Sequence, residues 1–113
     1  MKQYHKVNIS NVRTFNDEYK IEKQIGQGTS SKVYLCSLLS DPTKKVALKL
    51  IREDWLKEDP KNIHDIEKEI QTLKGLSHQK IVNILGYGSN GKAVIGPKVY
   101  HNLTYIIMEY VEG

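Results

Sequence analysis

A glycine-bearing stretch that leads from one strand directly into another restricts this chain more than any other feature. Ile25-Gly26-Gln27-Gly28-Thr29-Ser30-Ser31-Lys32-Val33 follows the alternating positions Tyr19, Ile21, Lys23 and Ile25, and it continues into the apolar, β-branched run from Val33 to Leu38. A dinucleotide fold needs its glycine loop to open a helix, whereas this one opens a strand. A Walker loop needs a Gly-Lys-Ser/Thr ending, and none follows Gly28. What is left is a hairpin with a glycine tip. Glycine has no side chain to hold a ligand away, so Gly26 and Gly28 suit the approach of backbone amides to phosphate oxygens. Taken alone, the pattern fits an ordinary tight hairpin equally well.

Beyond the turn residues Ser40-Asp41-Pro42-Thr43, Lys45 to Ile51 reads as a third strand. Ala47 and Lys49 share one parity, and Val46, Leu48 and Leu50 share the other. A small residue and a cation therefore point to one face and bulk to the opposite one. A flat base beside a phosphate needs that arrangement, although Lys49 by itself also fits a solvent-facing lysine. Asp59-Pro60 has the chemistry of a helix start. Ile63, Ile66, Ile70 and Leu73 then form one stripe of a helix running to about Lys74, with Gly75 suited to its end. Glu69 falls at the edge of that stripe. A carboxylate turned toward the sheet wants a cation, and Lys49 is the candidate, though Glu69 alone also fits a rim position.

Ile81 to Leu85 and Leu103 to Met108 read as two further strands, giving five in an antiparallel sheet with one main helix, an α+β architecture. Between them, Ser89 to Asn102 carries Lys92, Lys98, Tyr100 and His101 and reads as a loop, either a flexible insertion or a surface for a protein partner. Residues 1–17 lack a sustained period and read as a leader that docks loosely or stays mobile, ahead of a domain from 18 to 113.

The charges, 17 basic against 13 acidic for a net +4, are interspersed, so nucleic acid is not an expected partner. Cys36 is the single cysteine, so no intrachain disulfide is possible; its expected role is packing within a strand. The four histidines lack metal-ligand spacing. No stretch approaches the roughly 20 apolar residues that span a bilayer, and a cytoplasmic or nuclear location is the default expectation.

In order and spacing, the glycine loop, Val46-Ala47-Leu48-Lys49, Glu69-Ile70-Gln71-Thr72-Leu73 with Leu76-Ser77-His78 and Ile81-Val82, and Ile107-Met108-Glu109-Tyr110-Val111 resemble the N-terminal lobe of a eukaryotic protein kinase, of serine/threonine type. The resemblance covers about Tyr19 to Gly113. It implies that ATP is bound by the loop residues Gly26, Gln27, Gly28, Thr29, Ser30, Ser31 and Lys32. Ile25, Val33 and Ala47 would wall the adenine, and Lys49, paired with Glu69, would meet the α- and β-phosphates. Met108 takes the gatekeeper position, a role compatible with a buried core methionine. The backbones of Glu109 and Val111 would contact adenine in the hinge.

Ser30 stands where the family usually has an aromatic tip, Ser31 replaces a glycine, and Gln79-Lys80 replaces the usual Pro-Asn. No His-Arg-Asp or Asp-Phe-Gly occurs in these 113 residues. The catalytic base and the Mg2+ ligands are thus expected in a C-lobe that is absent here, and the chain alone is expected to be inactive. Transfer of the ATP γ-phosphate to protein serine or threonine is expected when that lobe is present. The alternative is a non-catalytic binding or allosteric module, engaging a partner through helix 60–74 or loop 89–102.

Overall fold

The computed structural model describes residues 11–62, 64–66, 68 and 83–110. Among them are β1 (Arg13–Phe15), β2 (Tyr19–Gln27), β3 (Ser31–Leu38), β4 (Lys45–Ile51), the short helix α1 (Glu53–Glu58), β5 (Ile84–Ile95) and β6 (Lys98–Glu109). Neighbouring strands are antiparallel, in the order β1-β2-β3-β4-β6-β5, and β1 pairs with β5 to close the sheet. Closure removes the unpaired strand edges that an open sheet leaves exposed. The β2-β3-β4 meander expected from the sequence is present, but the sheet has six strands rather than five.

The sixth strand comes from the segment expected to dock loosely. Residues 13–15 lie between β2 and β5, with Phe15 fully buried. Asn16 and Asp17 both adopt positive φ in the reversal after β1, a region that Asn and Asp tolerate better than most residues. Asn16 is held to β5, where its N–H donates to the Lys92 carbonyl at 2.8 Å and its side-chain oxygen accepts from the Lys92 N–H at 2.9 Å. The packing reason is Gly91. A Cβ built there would sit 2.6 Å from Phe15 Cζ and 2.8 Å from Tyr105 Cδ1. The two rings meet edge to face at 5.0 Å over the glycine.

The expected loop 89–102 is instead the distal half of a long hairpin, since β5 and β6 run for 12 residues each. The chain reverses at Gly96-Pro97, with Ile95 opposite Lys98. Gly96 takes the first central position at φ 59°, and the proline ring fixes the second, the combination of a II′ turn. Glycines that look like loop residues in one dimension sit here in strands with register shifts, and Asn102, at φ 58°, lies at one of them.

Two layers of packing result. Inside the barrel, Phe15, Ile21, Cys36, Val46, Leu48, Ala93 and Ile107 form the main core. On the other face, Ile51 and Ile106 pack with Ile66, Trp55 and Leu56. Asp59 caps the segment carrying Ile66, its carboxylate accepting from the Lys61 N–H at 2.9 Å, as the Asp-Pro pair predicts. Residues 60–62, 64–66 and 68 are helical. Ile63, Glu69, Ile70, Leu73 and Gly75 lie outside the described residues. The sequence reading did not anticipate α1, which places Glu53 and Asp54 in its first turn and Lys57 in its last, in keeping with the helix dipole.

Replacing Gly91 with alanine should destabilise the protein by about 1–3 kcal/mol through overpacking, measured by urea denaturation. An unchanged midpoint would show that β1 does not press on the hairpin. Burial, and to a lesser degree the Glu22 carboxylate, pushes the Cys36 thiol up to about 12. At pH 8 the native thiol is therefore protonated and should react with iodoacetamide only as fast as the barrel opens. Prompt labelling of the folded chain would contradict this placement.

Candidate functional site

Residues directly opposite across an antiparallel pair share a face, as do alternate residues along a strand. Val33 pairs with Lys49, Lys49 with Ile106, and Ala47 with Met108. Val33, Ala47, Lys49 and Met108 thus lie together on the face that also carries Ile51 and Ile106. Val46 and Leu48 lie in the barrel core, the division that the parity of β4 predicts. Ile66, from the helical segment, packs on the lysine's face beside Ile51 and Ile106. The proposed partner of Lys49, Glu69, is outside the described residues, and so is Val111.

Ile25 reaches this neighbourhood by a route that alternation alone does not give. The β2–β3 register shifts between Ile21 and Lys23 and again between Gln24 and Gly26, so Glu22 and Ile25 are extra residues on β2. Each bulge reverses the alternation of side chains. Tyr19 and Ile21 pack in or against the barrel core, but Lys23 and Ile25 do not continue that row. After the second bulge Gly26 stands opposite Val33, and a Cβ on it would meet Val33 Cβ at an ordinary 3.5 Å. Ile25 remains 41% exposed, an apolar side chain left without a full covering.

At the hairpin tip, the Gly28 N–H donates to the Ser31 carbonyl at 2.8 Å. A Cβ added to Gly28 would have nothing within 4 Å, and its φ lies outside the left-handed region. The fold itself therefore does not require glycine at 28, and the space beside it is open. From behind, the Arg52 N–H donates to the Ser30 carbonyl at 2.7 Å, and Arg52 Nη1 donates to the Thr29 carbonyl at 3.3 Å. Among the described residues, the Thr29 and Ser30 N–H groups donate no hydrogen bond. Of the three adjacent hydroxyl residues, Thr29 is exposed, Ser30 half-buried and Ser31 buried.

Gln27 and Lys32 are placed differently from the rest of the expected set. Lys32 pairs with Leu50, on the side of β4 opposite Lys49. With Gln27, Tyr34, Leu50, Ile51 and Arg52 it lines an open hollow of about 430 Å³. In the hinge region, the Glu109 N–H donates to the Asn83 carbonyl at 2.8 Å, and its carboxylate accepts from Asn83 Nδ2 at 3.1 Å.

Arg52 and Asp54 are the residues that sequence reasoning passed over. Asp54 holds the guanidinium through two bonds, Nε to Oδ1 at 3.2 Å and Nη2 to Oδ2 at 2.6 Å. The hydrogen bond from Arg52 holds the Asp54 carboxyl below its ordinary range, and the same bond raises the Arg52 pKa. An Arg-x-Asp spacing was the visible signal, but the contact with Thr29 lies 23 residues away.

A glycine-tipped hairpin, a lysine-bearing strand beside it and a helical segment packed on the lysine's face define a kinase-type N-terminal lobe. The protein kinase domain model matches residues 19–113, and the chain belongs to the protein kinase family. It is 36% identical over 84 residues, 74% of this chain, to U-box domain-containing protein 34 of Arabidopsis thaliana. It is 33% identical over 73 residues, 65% of this chain, to serine/threonine-protein kinase ATG1 of Candida glabrata. Against serine/threonine-protein kinase CLA4 of Candida albicans it is 33% identical over 95 residues, 84% of this chain. These matches span 10%, 8% and 8% of the relatives' own lengths, so the chain corresponds to a small part of each.

Because Gly28 faces open space, Gly28→Ala should leave the unfolding free energy, measured by urea denaturation, within about 0.5 kcal/mol of the parent, in contrast to Gly91→Ala. A large loss of stability at position 28 would mean that the glycine serves the fold.

Proposed function

We propose that this lobe binds ATP on the face that carries Lys49, beneath the glycine tip. In a complete kinase, the γ-phosphate would pass to serine or threonine hydroxyls of a protein. The observation that carries the reading is the gathering of Val33, Ala47, Lys49 and Met108 on one face, beside a tip with open space at Gly28. Val33 and Ala47 supply a flat apolar wall for a base, with Ile25 at its margin. The Thr29 and Ser30 amides and the Lys49 ammonium supply hydrogen-bond donors and positive charge for phosphate oxygens. The names of the kinase relatives favour serine/threonine specificity.

ATP supplies the transferable phosphoryl group. The lobe's part is to hold and orient it, since positioning and charge stabilisation account for most of the protein's work in phosphoryl transfer. Lys49 opposes the negative charge of the phosphates, and the glycine tip covers them. No group of three or more His, Cys, Asp or Glu side chains among the described residues could hold a metal, and none is assigned to Mg2+. The base that accepts the hydroxyl proton is likewise assigned to a C-lobe, so these 113 residues alone are proposed to be inactive. No helix among the described residues is long and apolar enough to cross a membrane. A cytoplasmic or nuclear location remains the proposal.

Calorimetry on the chain should give a magnesium-ATP affinity no tighter than roughly millimolar, about −4 kcal/mol, because the floor of the adenine pocket belongs to the other lobe. Micromolar affinity would overturn that assignment. In a complete kinase carrying this lobe, Lys49→Met should reduce turnover by on the order of 10²-fold or more without unfolding the protein. An unchanged rate would show that the lysine has been given the wrong role.

A further inference from the structure

Arg52 joins the glycine tip to α1, whose Leu56 N–H donates to the Arg52 carbonyl at 3.1 Å. Its backbone N–H holds the Ser30 carbonyl, its guanidinium reaches the Thr29 carbonyl, and Asp54 fixes that guanidinium with two hydrogen bonds. We infer that Arg52 is a positioning residue for the phosphate-covering loop, braced by Asp54, and that it sets the tip by engaging its carbonyls. This deepens the nucleotide reading and rests on it.

Three consecutive carbonyls at the tip, those of Thr29, Ser30 and Ser31, all accept hydrogen bonds, while the Thr29 and Ser30 N–H groups donate none among the described residues. Holding the Thr29 carbonyl fixes the peptide plane that it shares with the Ser30 N–H, and with it the direction of that uncommitted amide. Such preorganisation lowers the ordering cost of binding without adding a contact to the ligand. The arginine suits the task because its planar fork can bond Asp54 on two nitrogens and still present a third to the Thr29 carbonyl, which a lysine ammonium cannot do in the same plane. The Arg52 and Asp54 side chains are 47% and 67% exposed. Exposed pairs of this kind contribute little to stability, so the clamp's value lies in local geometry.

The test uses the full chain and ATP as the probe, with binding and amide exchange followed residue by residue by NMR. Arg52→Gln removes a positive charge and Asp54→Asn removes a negative one. An effect of net charge alone would weaken ATP binding in the first and strengthen it in the second. The clamp predicts that both variants bind ATP at least about threefold more weakly, and that the hydrogen-bonded amides of residues 28 and 52, which hold the Ser31 and Ser30 carbonyls, exchange faster in both even without nucleotide. Arg52→Lys should fail to restore either property. Asp54→Asn that binds ATP as well as the parent, with unaltered exchange at the tip, overturns the inference. Lys49→Met is the control for the underlying reading. If it weakens binding while the clamp variants do not, only the clamp is wrong. If it has no effect either, the nucleotide reading fails as well.

Discussion

The pairing of Val33 with Lys49 is the constraint on which the rest depends. Side chains alternate with a period of two, so a slip of one residue along β4 would turn Lys49 into the barrel and Leu48 out of it. Such a slip would bury an ammonium without compensation and expose a side chain that is now 1% accessible. The same register sets Ser31 opposite Ile51, bringing the end of the glycine loop to the residue before Arg52. The lysine face and the clamp on the loop are therefore two results of one strand alignment.

Closure of the sheet supports that alignment from a distance. β1 contributes only three residues, yet Phe15 fills the space above Gly91 and joins the ends of a sheet that would otherwise be open. The family match begins at Tyr19, so this strand lies ahead of the matched residues. It works through packing in the barrel core and leaves the lysine face to the helical segment carrying Ile66. One face of the meander is thus packed into the barrel, while the other meets the helical residues and remains partly accessible around Lys49 and Ile25.

Much of this was legible because local pattern and global packing agree. The parity of Val46 to Leu50 predicts which residues enter the core, and Asp59-Pro60 predicts a cap that forms. What could not be read depends on partners far away in sequence. The bulges at Glu22 and Ile25 follow from the register against β3 and break an alternation that looks continuous in one dimension. Gly86, Gly88 and Gly91 resemble loop residues until β6 pairs with them, and Gly91 is explained only by the Phe15 and Tyr105 rings. Arg52 reads as a surface cation until the Thr29 carbonyl comes into reach. The pairing of Lys49 with Glu69 lies outside the described residues, and the sheet register is what places the lysine's backbone.

The most direct measurement of the central claim is affinity labelling with an acyl-phosphate derivative of ATP, which transfers its acyl group to an amine held near the phosphates, followed by mapping of the modified lysine. The account predicts labelling centred on Lys49 and suppressed by excess unmodified ATP. Labelling scattered over the exposed lysines, or centred on Lys32 on the other face of the sheet and insensitive to ATP, would contradict it.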